Sequence, residues 1–254
     1  DSSRFVTCGI NLVFNGMVRM GFGFYDEKKA LKAQKKNKKR KQKVGSELFN
    51  DLVNFFRGRN LKNLATLTVC DKATKDSFNL LDIAGYNYGI KRYLKDLKKY
   101  PNRIILGTET FCLDAREFML LAKKYPRIIG DFVWTGLDYL GEVGIGARVD
   151  EDHCQHIMSG GLGWVSAGAG RIDLTGRELG EALYPKVAFE EETVKLVTYS
   201  PKHYKMKHSI SSWKFSTAMH SYSYEGCEGM TMPVEIYTTA KSFDLFQNDY
   251  KGIL

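Results

Sequence analysis

No window of the 254 residues approaches 18 consecutive apolar residues, so no segment reads as a membrane-spanning helix. Cysteine is sparse as well. Cys8, Cys70, Cys112, Cys154 and Cys227 are scattered without C-x-x-C spacing, and an odd count of five argues against a disulfide framework and for reduced thiols. The one run with ligand-like residues is "DEDHCQH", in which His153, Cys154 and His156 follow three acids. With no second ligand pair elsewhere it reads as a polar surface loop, and neither a metal nor a cofactor is expected. A signal peptide is also lacking at the start. That favours a cytoplasmic setting, although an N-terminus missing from the sequence would leave the compartment unknown.

What is present is enough apolar material, 43% of residues, to bury a sizeable core in one large domain or two smaller ones. The formal charge of +9 suggests nucleic acid at first sight. Ten of its positive charges, however, lie between Lys28 and Lys43 in a stretch without acids, and the rest of the chain carries −1. Basicity is therefore local. No aromatic residues interleave with these lysines to stack on bases, so the run reads as a solvated helix or insertion and neither a nucleic-acid nor a membrane partner is expected.

From the start to about residue 185, short apolar runs alternate with amphipathic, Lys-rich stretches. The runs are "RFVTCGIN", "LLDIAGYNY", "NRIILGTE" and "RIIGDFVWTG"; "GSELFNDLVNFFRG", "GIKRYLKDLKKYP" and "DAREFMLLAKKYP" are the helical candidates. This is the β/α alternation of a parallel sheet covered by helices. Two helices end in "KKYP", which puts cations at the negative end of the helix dipole and proline as a stop. After about residue 190 the period becomes two, in "TVKLVTYSP", "SWKFSTAMHSYSYEG", "MPVEIYTTA" and "SFDLFQNDYKG", as in an antiparallel sandwich. A domain boundary is expected near residue 188. Four strand units are too few for a closed barrel and the last region too short for a full sandwich, so truncation at both ends is expected.

In a β/α barrel, catalytic side chains come from the C-terminal ends of strands. Those ends are Asn11, then Asn87 and Tyr88, then Glu109, then Trp134. Amides that bond hydroxyls, a carboxylate that attacks or stabilises an anomeric carbon and an indole that stacks on a pyranose make up the inventory of a sugar site. Each residue alone has a plainer reading, Trp134 and Tyr88 as core aromatics and Asn87 as a loop cap. A tyrosine donor beside Glu109 would favour its ionised, nucleophilic form.

Three stretches, "LLDIAGYNYGIKRY", "YPNRIILGTETF" and "YPRIIGDFVWTGLDYLGEVGIG", resemble in order and spacing the catalytic barrel of glycoside hydrolase family 2, the β-galactosidase and β-glucuronidase family. The later "SSWKFSTAMHSYSYEGCEGMTMPVEIYTTAKSFDLFQNDYKG" resembles the β-sandwich that follows the barrel in bacterial β-galactosidase-like members. The resemblance implies an α/β plus all-β chain: the C-terminal half of a (β/α)8 TIM barrel, strands five to eight, over residues 1–188, followed by a partial immunoglobulin-like β-sandwich over 189–254. It implies Glu109 as catalytic nucleophile, Tyr88 as the tyrosine beside it and Trp134 as a sugar platform. It further implies a retaining exo-glycosidase acting on terminal β-D-galactosides, with a carbohydrate as its partner and the full-length protein as a candidate homo-oligomer.

Departures from the family accompany the match. Retaining members use a second glutamate, in an Asn-Glu pair, about 5 to 5.5 Å from the nucleophile. No Asn-Glu dipeptide occurs here, and "SSRFVTCGINL" resembles the strand after that pair, so the general acid/base is expected upstream. Asp131 lies nearer the barrel floor, while Asp138 and Glu142 lie in the loop beyond Trp134; Glu142 is the best placed to neighbour the site, and none of the three is assigned as the acid. Trp164, in the loop after the last barrel strand, either lines the entrance or packs beneath it. Alternative readings are a non-catalytic carbohydrate-binding or structural fragment, or a family 2 glycosidase for a β-glucuronide or β-mannoside.

Overall fold

The computed structural model describes residues 3–21, 59–147, 165–206, 211–247 and 250–251. The lysine run, "GSELFNDLVNFFRG", "DEDHCQH" and Trp164 lie outside the described residues.

Each of the four apolar runs forms a strand: β1 (Thr7–Asn11), β2 (Ile83–Asn87), β3 (Ile105–Thr110) and β4 (Ile128–Val133). They pair in parallel in the order β1-β2-β3-β4. Between them run α1 (Leu12–Arg19), α2 (Arg59–Leu64), α3 (Thr68–Asn79), α4 (Tyr93–Lys99) and α5 (Ala115–Lys124). Helices α4 and α5 finish on Lys98–Lys99 and Lys123–Lys124, cations placed where the orphan carbonyls of a helix end gather.

Alternation along the strands decides which face is dry. Ala84, Tyr86, Ile105 and Ile128 are buried in the core, where Tyr86 stacks on Phe78 of α3 at 4.6 Å and meets Tyr93 of α4 edge-on at 5.4 Å. The same layer holds a polar cluster. Arg92 reaches Asp96 at 3.0 Å, Asp71 at 2.8 Å and Thr74 at 3.2 Å; Arg103 reaches Asp96 at 3.0 Å and the Tyr86 hydroxyl at 3.2 Å. These partners ring both guanidinium groups with acceptors, which a buried charge needs in order to persist. Arg103, buried by this cluster, precedes β3, which runs from Ile105 to Thr110 with Glu109 inside it.

Beyond residue 180, α6 (Leu183–Ala188) leads to β5 (Val194–Thr198), paired antiparallel with β6 (Val234–Thr238), and β7 (Phe246–Gln247) pairs with β8 (Tyr250–Lys251). The expected strand in "SWKFSTAMHSYSYEG" is not formed; its ladder is reduced to one bridge, Thr198 with Met219. Side chains occupy its main-chain donors instead. Trp213 N donates to Ser211 Oγ (3.1 Å), Ser216 N to Glu181 Oε1 (2.7 Å) and Ala218 N to Ser216 Oγ (3.0 Å). Serine-rich sequence offers the backbone this alternative to a sheet. The result is a mixed α/β chain with a four-stranded parallel sheet and small antiparallel pairs.

Candidate active site

Asn11 and Asn87 are the last residues of β1 and β2 and Glu109 the next to last of β3, with Asn11 opposite Asn87 and Asn87 opposite Glu109. An irregularity places them so. Tyr86 pairs with Gly107 and Asn87 with Glu109, so β3 carries one residue more than β2, and this bulge brings both Thr108 and Glu109 beside Asn87. Thr108 Oγ1 donates to Asn87 Oδ1 at 2.7 Å, which leaves the amide N–H of Asn87 to donate to the Glu109 carboxylate. Gly9 of β1 makes room for this pair: a Cβ there would sit 2.8 Å from Asn87 Oδ1. Asn11 has a different task, because its Oδ1 accepts from Phe14 N at 3.0 Å and caps α1.

Tyr88 follows β2 directly, with φ at +55°, a conformation unfavourable for a bulky residue. Its N–H donates to Glu109 O at 2.7 Å and its ring lies against Phe111 at 4.5 Å, and these contacts hold it there. Its hydroxyl bonds the Glu109 side chain and accepts from the indole N–H of Trp213 at 2.9 Å. Trp213 is buried, edge-on to both Tyr88 and Phe111. It belongs to the stretch read as a sandwich strand and was not singled out in the sequence. A lone tryptophan in a period-two run carries no signal of where its ring will go.

The Glu109 side chain is half-buried. Desolvation is the largest influence on it and pushes its pKa above the ordinary carboxylate value; the hydrogen bonds from Tyr88 and Asn87 pull downward, and the charge of Glu142 pushes upward again. The net direction is therefore the reverse of the one expected from the tyrosine alone. Tyr88, buried beside this carboxylate, is itself raised well above a free phenol, first by desolvation and then by the charge of Glu109. Among the described residues no ion pair involves Glu109.

Trp134 follows β4, its N–H donating to Thr110 O at 2.9 Å. The peptide bond from Trp134 to Thr135 is cis. The indole is partly buried, meets Tyr139 edge-on at 5.6 Å and donates to the Tyr139 hydroxyl at 3.3 Å; that hydroxyl in turn donates to Glu142 Oε2. Glu142 also has positive φ, +41°. Its charge acts on both Glu109 and Tyr88.

The other two acids have structural partners. Asp138 accepts from the N–H groups of Gly168, Ala169 and Gly170 at 3.1 to 3.2 Å, tying the loop after β4 to the segment 165–172. Asp131 is inside β4, where Thr110 Oγ1 donates to its Oδ2 at 3.0 Å; burial first of all pushes its pKa up to about 7. Among the described residues no group of three His, Cys, Asp or Glu side chains could hold a metal ion, no helix is long and apolar enough to cross a membrane, and Cys8, Cys70, Cys112 and Cys227 are free thiols.

No protein-family model matches the chain, and no curated protein matches it. Among solved structures it is similar to a glycosyl hydrolase family 2 member from Bacteroides cellulosilyticus, with a TM-score of 0.58 and 22% identity over 80% of this chain and 28% of that one. A family 2 member from Bacteroides cellulosilyticus DSM 14838 gives a TM-score of 0.48 and 20% identity over 76% of this chain and 24% of that one. The first of these likenesses establishes a shared fold. The chain spans about a quarter of the length of both structures.

Proposed function

We propose that this chain carries the nucleophile half of a retaining exo-glycosidase of the family 2 type, acting on terminal β-D-galactosides. The observation that carries the reading is Glu109 at the end of β3, half-buried, hydrogen-bonded by Tyr88 and Asn87 and clear of any described ion pair. The family 2 fold likeness supports it. In this reading the four-stranded sheet is the C-terminal half of a (β/α)8 barrel over residues 1–188, and the antiparallel pairs belong to a partial immunoglobulin-like sandwich over 189–254.

The chemistry follows from the charges. The Glu109 carboxylate attacks the anomeric carbon as the bond from that carbon to the aglycone oxygen breaks, forming a glycosyl ester. The aglycone leaves with a proton from a general acid assigned to sequence outside these 254 residues. Water, activated by the same group as base, then cleaves the ester and returns Glu109. Tyr88 and Asn87 hold the attacking carboxylate, and Trp134 and Glu142 line the sugar's side of the site. Asn11, at the end of β1, takes part by capping α1.

An activated 2-fluoro-galactoside supplied to the intact parent protein is expected to label Glu109, located by mapping the modified peptide; a label on another residue sinks the assignment. Parallel trials with 2-fluoro-glucuronide and 2-fluoro-mannoside reagents decide the sugar. A second reading, a non-catalytic carbohydrate-binding or structural fragment, is favoured by the absence of an Asn-Glu pair. Turnover of an aryl galactoside by the 254-residue chain, lost in Glu109→Gln, would exclude it. Little turnover is expected, since removing general acid catalysis costs about 10²- to 10⁴-fold.

A further inference from the structure

We propose that Trp213 is a positioning residue for Glu109: its indole N–H, 2.9 Å from the Tyr88 hydroxyl, turns that hydroxyl so that its one proton goes to the Glu109 carboxylate. The inference rests on Glu109 being the reacting carboxylate. An indole N–H can only donate, an ionised carboxylate can only accept, and a phenol has a single proton. With its oxygen already accepting from Trp213, Tyr88 has one way to satisfy the carboxylate, which is to donate to it. The donor-only indole and the acceptor-only carboxylate thus demand the same polarity from Trp213 through Tyr88 to Glu109, and the indole N–H holds the phenol oxygen in the orientation that meets it.

Trp213 is itself held from three sides. Its carbonyl accepts from Arg171 Nη2 at 2.6 Å, and Arg171 pairs with Glu181 at 2.7 Å, both side chains being buried. Its N–H donates to Ser211 Oγ, which donates to the Ile145 carbonyl at 3.0 Å. Its ring is packed edge-on against Tyr88 and Phe111. A tryptophan used only as packing would need the ring but not the placement of Nε1. The segment after residue 190 thus supplies a hydrogen-bond donor to a group on the parallel sheet.

The test is a pH titration of Glu109 by NMR in the whole 254-residue chain with carboxyl-labelled glutamate, which needs no turnover. The titratable or charged groups that bear on the unit are Tyr88 after β2, Glu142 and Tyr139 in the loop after β4, and Arg171 with Glu181 behind Trp213. Trp213→Phe, which keeps an aromatic ring and deletes the N–H, is expected to raise the Glu109 midpoint by about 0.5 to 1 pH unit, the equivalent of one ordinary hydrogen bond. In the Tyr88→Phe background the same substitution is expected to add nothing. An unchanged midpoint in folded Trp213→Phe overturns the proposal. Without any substitution, the Trp213 indole N–H resonance is expected to follow the Glu109 titration, and a resonance that stays flat overturns it as well. If the titrations behave as expected while the parent protein is never labelled at Glu109, the positioning role stands and the glycosidase reading falls.

Discussion

Asp71 and Glu109 are carboxylates held against the same four-stranded sheet, and their protonation is pulled in opposite directions. Between the sheet and helices α3 and α4, Asp71 is opposed by desolvation but receives Lys99, Tyr100 and Arg92, and its pKa falls below the ordinary value. At the strand ends, Glu109 has two neutral donors, an acid for a neighbour and no cation among its described partners, and its pKa rises. The first arrangement makes ionisation favour the fold. The second makes the fold bear the cost of ionisation, which is tolerated where the charge is used.

Breaking the compensated cluster has the largest expected effect. Arg92→Met leaves Asp71 and Asp96 buried without their shared cation and is expected to destabilise by about 3 to 5 kcal/mol, read as a fall in the denaturation midpoint. The Glu109 titration should be preserved in whatever fraction stays folded. If Arg92→Met costs less than about 1 kcal/mol, the division between the two clusters is wrong.

Asp131 sharpens the comparison through pH. Its folded pKa of about 7 lies above the ordinary 3.8, so its stabilising effect is whole below about pH 4 and is lost as pH rises towards 7. Asp131→Asn is expected to remove roughly 2 kcal/mol of that fall between pH 5 and 7, measured by urea denaturation at each pH. Equal slopes in the two proteins would show that burial is not what governs Asp131.

Glu109→Gln, by the same sign argument, is expected to raise stability at pH 8 while abolishing any labelling. A clear loss of stability would make Glu109 a structural acid like Asp138. The smallest effect belongs to the surface pair of Lys91 with Glu117, both about 40% exposed, where Lys91→Ala is expected to cost less than about 1 kcal/mol and to shrink further in salt.

The four parallel strands were legible because each is a short apolar run bounded by lysine-rich helices, a pattern fixed by alternation and helix period alone. Asn87, Tyr88, Glu109 and Trp134 were legible as strand ends, and the structure draws Asn87, Tyr88 and Glu109 into one hydrogen-bonded set. Asn11 turned out to cap a helix, since an asparagine at a strand end that is also a helix start serves the nearer N–H first. The run around Trp213 looked like a strand because period-two spacing does not register that serines can satisfy the backbone.

Sequence by itself determined where the four parallel strands lie, which residues stand at or beside their ends and that the positive charge is concentrated in one run, because these follow from local spacing and chain order. Tertiary structure alone decided that β3 bulges at Glu109, that burial outweighs the tyrosine donor, and that Trp213 arrives beside Tyr88, 125 residues away in the chain. Desolvation and long-range contact depend on what the rest of the molecule packs around a group, and a neighbour so distant in sequence leaves no local trace.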